Sequence, residues 1–352
     1  MLTDKRVVVT GGTGSLGKVL VRRLLTGELG KPRQITIFSR DEAKQHSMRL
    51  AFQHMRTATD EVIYHNFEQI LQFRIGDVRD PHSVATVMRQ ADVVFNAAAL
   101  KQVPSCEYFP YEAVQTNING AENIIRAIRE YRLPVETVVG VSTDKACKPV
   151  NVMGMTKAVQ ERLFVRANLD ADETRFICVR YGNVLASRGS VIPLFHEQIR
   201  RGGPVTITTS DMTRFLLSLE QAVDTVFAAL KGAERGETYI PRVPSALVTD
   251  IAAALIGDEK IKMVVTGIRP GEKVHEILVS EEEAYRTVER DGYYVIKPML
   301  PELRSAEEKL TPLGKEYSSA DNVMNREQVA ELLRRHKLMI SDRFVYEEDM
   351  LA

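Results

Sequence analysis

Apolar residues follow two rhythms along this chain. Short runs rich in β-branched residues alternate with stretches where apolar residues recur every three or four positions. Arg6-Val7-Val8-Val9-Thr10 is the first run, and it ends in glycines. Leu16, Val19, Leu20 and Leu24 follow on one face of a helix. Ile35-Thr36-Ile37-Phe38 predicts a second strand, residues 71–76, 92–97 and 135–142 predict further buried strands, and Phe176 to Arg180 continues the pattern. Strands alternating with helices predict βαβ units, hence an α/β fold with a Rossmann-type, doubly wound parallel sheet covered on both faces. From about Ser187 the order is less regular, which predicts a smaller lobe interleaved with the sheet. The expected division is 1–185 for the sheet, with later segments returning to it, 186–300 for the lobe, and 301–352 for a charged tail in which Glu327 to His336 forms a helix. Residues 52–70 read as an insertion before the third strand, expected to extend a helix or serve an oligomer contact.

Composition narrows the class. The 352 residues suffice for a large core, and 44% hydrophobic with 27% charged content is ordinary for a soluble globular protein. Lys plus Arg and Asp plus Glu number 47 each, so no global field draws nucleic acid or an anionic membrane. An anionic ligand needs a local cluster. Cys106, Cys147 and Cys178 have no metal or redox-motif spacing, which suggests a reducing compartment. No grouping of histidines, cysteines and carboxylates has metal spacing, and His196 and His275 read as helix-surface or packing residues. With no signal-like or membrane-spanning run, a cytoplasmic location is expected.

Chemistry first appears in the loop Thr10-Gly11-Gly12-Thr13-Gly14-Ser15-Leu16-Gly17. It follows a strand and opens a helix. Gly11 permits the tight turn, Gly14 admits a pyrophosphate to the backbone, and Gly17 allows close helix–strand packing. The helix N-terminus then faces the phosphates. Residues 1–185 therefore read as a dinucleotide-binding domain. After the second strand, Ser39, Arg40 and Lys44 offer donors for a 2′-phosphate, which favours NADP over NAD; the alternative is a solvated helix start with Asp41 as its cap. Asp77-Val78 stands where adenine contacts are expected. Asn96-Ala97-Ala98-Ala99 is small enough for a dinucleotide to lie close.

Ser142-Thr143-Asp144-Lys145 ends the fifth strand, on the crevice side of such a sheet. Met153 and Lys157 are four apart and share a helical face. A thioether cannot exchange protons. For Asp144-Lys145 the plain alternative is a surface ion pair, worth little.

The glycine loop, the alanine run, the hydroxyl residues ending the fifth strand and Lys157 resemble the extended short-chain dehydrogenase/reductase family, in which tyrosine usually stands where this chain has Met153. The resemblance narrows further. Ala97-Ala98-Ala99-Leu100-Lys101-Gln102-Val103-Pro104, Ser142-Thr143-Asp144-Lys145-Ala146, Tyr181-Gly182-Asn183-Val184, Ser187-Arg188-Gly189-Ser190-Val191-Ile192-Pro193, Met212-Thr213-Arg214-Phe215 and Arg269-Pro270-Gly271-Glu272-Lys273 resemble the UDP-N-acetylglucosamine 4,6-dehydratases of capsule, O-antigen and flagellar sugar synthesis. The match spans about residues 3–280. The tail motif Glu316-Tyr317-Ser318-Ser319 is similar to the capsule-type, C5-inverting members, where methionine is expected at this position.

The resemblance implies dehydration of UDP-N-acetylglucosamine to a UDP-2-acetamido-2,6-dideoxy-4-hexulose with recycled NADP. It implies that Asp144 and Lys145 work at C5 and C6, provided burial lowers the lysine pKa. Thr143 would bond the C4 oxygen, Lys157 the nicotinamide ribose, and Tyr181 would border the cofactor. The C4 base stays open between Lys145 and a water or ribose hydroxyl relayed through Lys157. Arg214, Arg269 and Asn183 would hold the diphosphate region, Glu272 the uridine ribose, Val191, Pro193, Thr206 and Thr208 the uracil, and Lys101 the sugar. A homo-oligomer, dimer or hexamer, is expected. The competing readings are a C5-retaining dehydratase, a nucleotide-sugar 4-epimerase and an NADP-sensing pseudoenzyme.

Overall fold

A computed structural model describes residues 1–54, 67–185, 190–304 and 311–342. The β-branched runs become β1 (Arg6–Thr10), β2 (Gln34–Ser39), β3 (Leu71–Ile75), β4 (Val93–Asn96), β5 (Thr137–Thr143) and β6 (Arg175–Tyr181). They pair in parallel in the order β3-β2-β1-β4-β5-β6. The order reverses between β1 and β4, and a crevice opens there beyond the carboxyl ends. Side chains alternate across the sheet. Val7, Val9, Ile35 and Ile37 face one buried layer, and Val8, Val94, Val138 and Phe176 face the other. Burial on both faces is why these strands read as continuous apolar runs. β3 is the exception. It was expected to be buried, but it lies at the sheet edge, with Gln72, Arg74 and Ile75 exposed.

The second half interleaves. β7 (Val205–Ile207) and β8 (Thr213–Phe215) belong to the lobe. The helix Leu219–Gly232 and β9 (Thr238–Pro241) then return to the large sheet, where β9 runs parallel to β6. β10 (Ser245–Leu247), the helix Val248–Ile256, β11 (Met263–Val265) and β12 (Ile277–Val279) precede β13 (Thr287–Arg290) and β14 (Tyr293–Ile296), which extend the sheet antiparallel to nine strands. In the tail, β15 (Tyr317–Ser318) pairs with β12 and β16 (Val323–Met324) with β10. The helix Arg326–Arg335, opened by an Asn325–Gln328 capping box, buries Val329 and Leu333 against Ile251 and Leu255. Lobe and tail are thus interdigitated rather than successive.

Residues 55–66 of the proposed insertion lie outside the described residues. Its two ends are fastened, since Phe52 and Phe67 stack at 5.6 Å within the core. Among the described residues no helix is long and apolar enough to cross a membrane.

Candidate active site

The carboxyl ends of β1, β4, β5 and β6 border a cleft of about 810 Å³. Its floor depends on glycine. Gly11 has φ +67°, and a Cβ there would sit 2.7 Å from the Ala98 nitrogen; a Cβ on Gly17 would sit 2.5 Å from Gly12 Cα. No side chain caps the helix Ser15–Leu25, so its first N–H groups are left for another acceptor. Thr13, Gly14, Ser15, Leu16, Ala97, Ala98 and Ala99 line this part. Thr10 Oγ1 donates to Asn96 Oδ1 at 2.7 Å and accepts from the Ala98 N–H at 3.3 Å, which joins the two loops.

Ser39, Arg40, Asp41, Lys44, Asp77 and Val78 line the far end. Arg40 is mostly exposed and lies 3.8 Å from Asp77, while Lys44 is 3.1 Å from Asp41. Asp41 Oδ1 also accepts from the Lys44 N–H at 3.0 Å, at the start of the helix Glu42–His54. Cap and candidate phosphate donors are therefore different residues in one turn.

At the other end β5 runs into a tight turn, Asp144–Ala146. Thr143 Oγ1 donates to Asp144 Oδ1 at 2.7 Å, and Lys145 Nζ donates to the same oxygen at 3.1 Å. A second carboxylate, Glu276, stands 3.4 Å from Lys145 Nζ and 3.7 Å from Arg214 Nε. Asp144 and Glu276 are 1% and 2% exposed. The pair is no surface ion pair. The expectation for the lysine is also corrected. Burial works to lower the Lys145 pKa, but Asp144 and Glu276 outweigh it against the opposing Arg214, so the ammonium sits above its ordinary range. The group that burial does lower is Lys157, to about 8. Its Nζ donates to Val141 O and Gln160 Oε1, each at 2.6 Å.

The helix Val152–Ala167 brings these groups together. Asn151 Oδ1 caps it by accepting from the Gly154 N–H at 2.8 Å. A Cβ on Gly154 would lie 2.1 Å from the Lys145 carbonyl, so glycine lets the helix rest directly on the turn. Met153 is buried against Cys106 and Ala113 and presents an apolar wall to the cleft.

Lys101, Tyr181, Asn183, Val191, Thr206, Thr208, Arg214, Arg269 and Glu272 also border the cleft. Burial pushes the Tyr181 phenol up. Pro193 does not line it. Val191, Leu194 and Phe195 do, and on a helix those positions share a face that excludes Pro193. Ser187, Arg188 and Gly189 lie outside the described residues. His196 Nε2 contacts the Leu338 carbonyl at 2.9 Å, His275 Nδ1 lies 2.8 Å from Thr213 Oγ1, and no metal-binding group occurs among the described residues.

A family model described as polysaccharide biosynthesis protein matches residues 7–298. The chain belongs to the polysaccharide biosynthesis protein family. One relative, a Campylobacter jejuni protein named UDP-N-acetylglucosamine 4,6-dehydratase (inverting), is 43% identical over 303 residues, 85% of each chain. Another, named UDP-glucose 4-epimerase, from Rickettsia bellii, is 42% identical over 344 residues, 95% of this chain and 96% of its own. The X-ray structure of Pen from Bacillus thuringiensis superposes with a TM-score of 0.84 at 34% identity, covering 96% of this chain and all of that one. The Streptomyces venezuelae dTDP-glucose 4,6-dehydratase DesIV, solved with NAD and TYD bound, shares the fold at TM-score 0.63 and 19% identity, over 76% of this chain and 86% of that one. The resemblance read from the motifs is met in both sequence and structure, and the relatives make this polysaccharide biosynthesis protein an enzyme.

The motifs did not reveal every group in this polysaccharide biosynthesis protein that faces the site. Cleft-lining Thr116 Oγ1, Ser142 Oγ, Asn183 Oδ1 and Ser190 Oγ are buried without a hydrogen-bond partner. Buried polar atoms are nearly always paired, so such a set suits a polar ligand. Thr116 lies on an irregular turn, Val114–Asn119, and no sequence signal marked it. Glu276 was passed over too. The signal was there, a carboxylate directly before an apolar strand, in the same basic stretch as Arg269 and Lys273.

Proposed function

We propose that this enzyme is an NADP-dependent UDP-N-acetylglucosamine 4,6-dehydratase that inverts C5, yielding UDP-2-acetamido-2,6-dideoxy-4-hexulose for a surface polysaccharide such as capsule or O-antigen. We further propose a cytoplasmic homo-oligomer. The observation that carries the activity is Lys145 between two buried carboxylates at the cleft, next to a methionine. Elimination of water from C5 and C6 needs proton-exchanging groups at those carbons; epimerisation at C4 needs one at the C4 hydroxyl and none at C5 or C6.

The glycine cradle and the partnerless cleft oxygens fit a dinucleotide. Gly11, Gly14, Gly17, the alanine run and Lys157 would hold it, and when bound its nicotinamide would accept hydride from C4 and return it to C6. The chain's residues move the protons. Thr143 is placed to bond the C4 oxygen. Once C4 is a ketone the C5 proton is acidic, and Asp144 and Lys145 exchange protons with C5 and with the departing C6 oxygen. For the C4 hydroxyl, the lowered pKa of Lys157, about 8, favours a relay through that amine over Lys145, which is held protonated.

Incubation with UDP-N-acetylglucosamine in deuterated water tests the proposal. NMR is expected to show a C6 methyl group, a C4 ketone and deuterium at C5, with ring couplings that report inversion. Absence of turnover by the cofactor-loaded enzyme would sink the reading; retained configuration would remove only the stereochemical part. The Rickettsia relative's name favours a second reading, a UDP-sugar 4-epimerase, and the same spectra decide it. An epimerase gives the C4 epimer with no C6 methyl signal and no label at C5.

The cofactor has its own test. Replacing Arg40 and Lys44 together by alanine is expected to weaken NADP binding at least about tenfold, the scale of one charge-assisted hydrogen bond, with NAD binding little changed. Calorimetry with both nucleotides checks it, and equal losses would refute the preference.

A further inference from the structure

Buried carboxylates in this fold fall into two kinds. Glu283 accepts from Arg180 through both oxygens, at 2.9 and 2.7 Å, and Glu237 is held by Arg290 and Lys297 in the same way. These are saturated. Glu276 is different. Its Oε1 sees Lys145 at 3.4 Å and Arg214 at 3.7 Å, while Oε2 is buried with no partner. An unsatisfied carboxylate oxygen is costly to bury, and a purely structural residue would have no use for it. Glu276 is also set with care. Its N–H donates to Ser319 Oγ at 2.9 Å, its carbonyl accepts from the Ser319 N–H at 2.8 Å, and Ser319 Oγ lies 2.6 Å from Thr213 Oγ1. Unlike Asp144 and Lys145, it does not border the cleft. It meets the cleft through the two cations it faces, Lys145 and Arg214, and Lys145 is the nearer.

We propose that Glu276 is a positioning residue that holds the Lys145 ammonium at the reacting face and stores its proton during the cycle. This rests on the dehydratase reading. In the step, a Lys145 N–H bond breaks, an O–H bond forms on Glu276, and the electron pair stays on the amine. The amine takes the C5 proton, whose C–H pair passes toward the C4 ketone, and gives that proton to the departing C6 oxygen, which leaves as water. After hydride reaches C6, the stored proton returns from Glu276 through Lys145 to C5. Lys145 is then neutral, and the proton taken from the C4 hydroxyl, relayed through Lys157, restores its ammonium. Two protons leave O4 and C5 and two arrive at the C6 oxygen and C5, so the cycle closes with no added reactant. The other charged groups around Lys145 are Asp144 and Arg214, with Lys273 behind them; Lys273 also donates to the Cys147 carbonyl.

The test is Glu276→Gln, which keeps the shape and loses the charge, with Glu276→Asp as the conservative variant. Both are made in the full chain loaded with NADP, beside wild type. For Glu276→Gln, kcat is expected to fall about 100-fold with KM within about threefold. Lys145 is expected to titrate at least about one unit lower, because the loss of an anion destabilises the ammonium. Nζ resonances of ¹⁵N-lysine-labelled enzyme, assigned by their loss in Lys145→Arg, report that midpoint directly. Glu276→Asp is expected to recover part of both. An unchanged Lys145 midpoint in both variants overturns the proposal, whether or not activity falls. If wild type makes the 6-deoxy-4-keto sugar and Glu276→Gln matches its rate and pH profile, Glu276 is refuted and the dehydratase stands. If wild type gives no such product, the dehydratase reading fails and the proton-storage role fails with it. Should Glu276→Gln not fold, Glu276→Asp carries both readouts.

Discussion

Lys145→Ala is expected to lower kcat for dehydration by about 10³-fold or more while NADP stays bound. One positioned proton donor and acceptor contributes about 10²- to 10⁴-fold. Lys145 is expected at the upper end because the proposed mechanism uses it at both C5 and C6 and because Met153 supplies no substitute. The change also leaves Asp144 and Glu276, both almost fully buried, facing each other without their shared cation. Some stability is therefore lost, and cofactor binding must be measured beside turnover. Single-turnover NMR and calorimetry with NADP separate the two effects. Near-normal turnover would remove Lys145 from the chemistry. Loss of NADP binding in step with turnover would mean the variant reports folding instead.

Arg180→Ala is expected to cost about 3–5 kcal/mol of stability, a drop in Tm on the order of 10 °C. Arg180 sits in β6 and ties three elements together. Its guanidinium donates to Glu161 at 3.0 and 2.6 Å, to Glu283 at 2.7 and 2.9 Å, and to the Leu278 carbonyl at 2.8 Å. Truncation removes the cation that both buried carboxylates share and leaves Glu283 with the more distant Arg286, at 3.7 Å. The pH dependence supplies the sign. Burial works to raise the Glu283 carboxyl, but Arg180 outweighs it and holds it at about 2, below the ordinary 4.5. A depressed carboxyl contributes stability above its unfolded pKa and loses it as pH falls toward the folded value. Wild type is therefore expected to lose this contribution as pH drops from about 4.5 toward 2, and the variant to lose far less over that window. Denaturant melts at pH 7 and pH 4 check it; equal acid sensitivity in the two proteins would show that Arg180 does not set the Glu283 pKa.

Much of the sheet was legible because both of its faces are buried. Val7 to Val9 and Val138 to Val141 could be read as strands without knowing their neighbours. The glycines at 11, 14 and 17 were legible for a different reason, their spacing in a strand–turn–helix loop, where backbone passes within 3 Å of the absent side chain at Gly11 and Gly17 and at 3.3 Å at Gly14. β3 misled because an edge strand with Leu71 and Phe73 half-buried looks like a central one in a single sequence. The interleaving of lobe and tail depends on pairings between distant segments, such as β16 with β10, which local periodicity does not encode. Lys145 shows the same limit in electrostatics. Sequence placed Asp144 beside it and suggested burial, but the lysine is held up by Asp144 and Glu276 together, and Glu276 is brought in from far along the chain. Pro193 failed on geometry: Val191, Leu194 and Phe195 face the cleft, and the helix turns Pro193 away.

The contacts of Ser319 have a consequence for the order in which the protein comes into being. The glycine loop and the first parallel strands are made early. The charged cluster around Lys145 is not complete until Ser319 is available to fix Glu276 and Thr213, and until β16 and the helix Arg326–Arg335 close the lobe behind β10. During translation the glycine loop, Asp144 and Lys145 are therefore made well before Glu276 and the serine that seats it. A chain cut short before Ser319 retains the cradle's residues and lacks the clasp that seats Glu276.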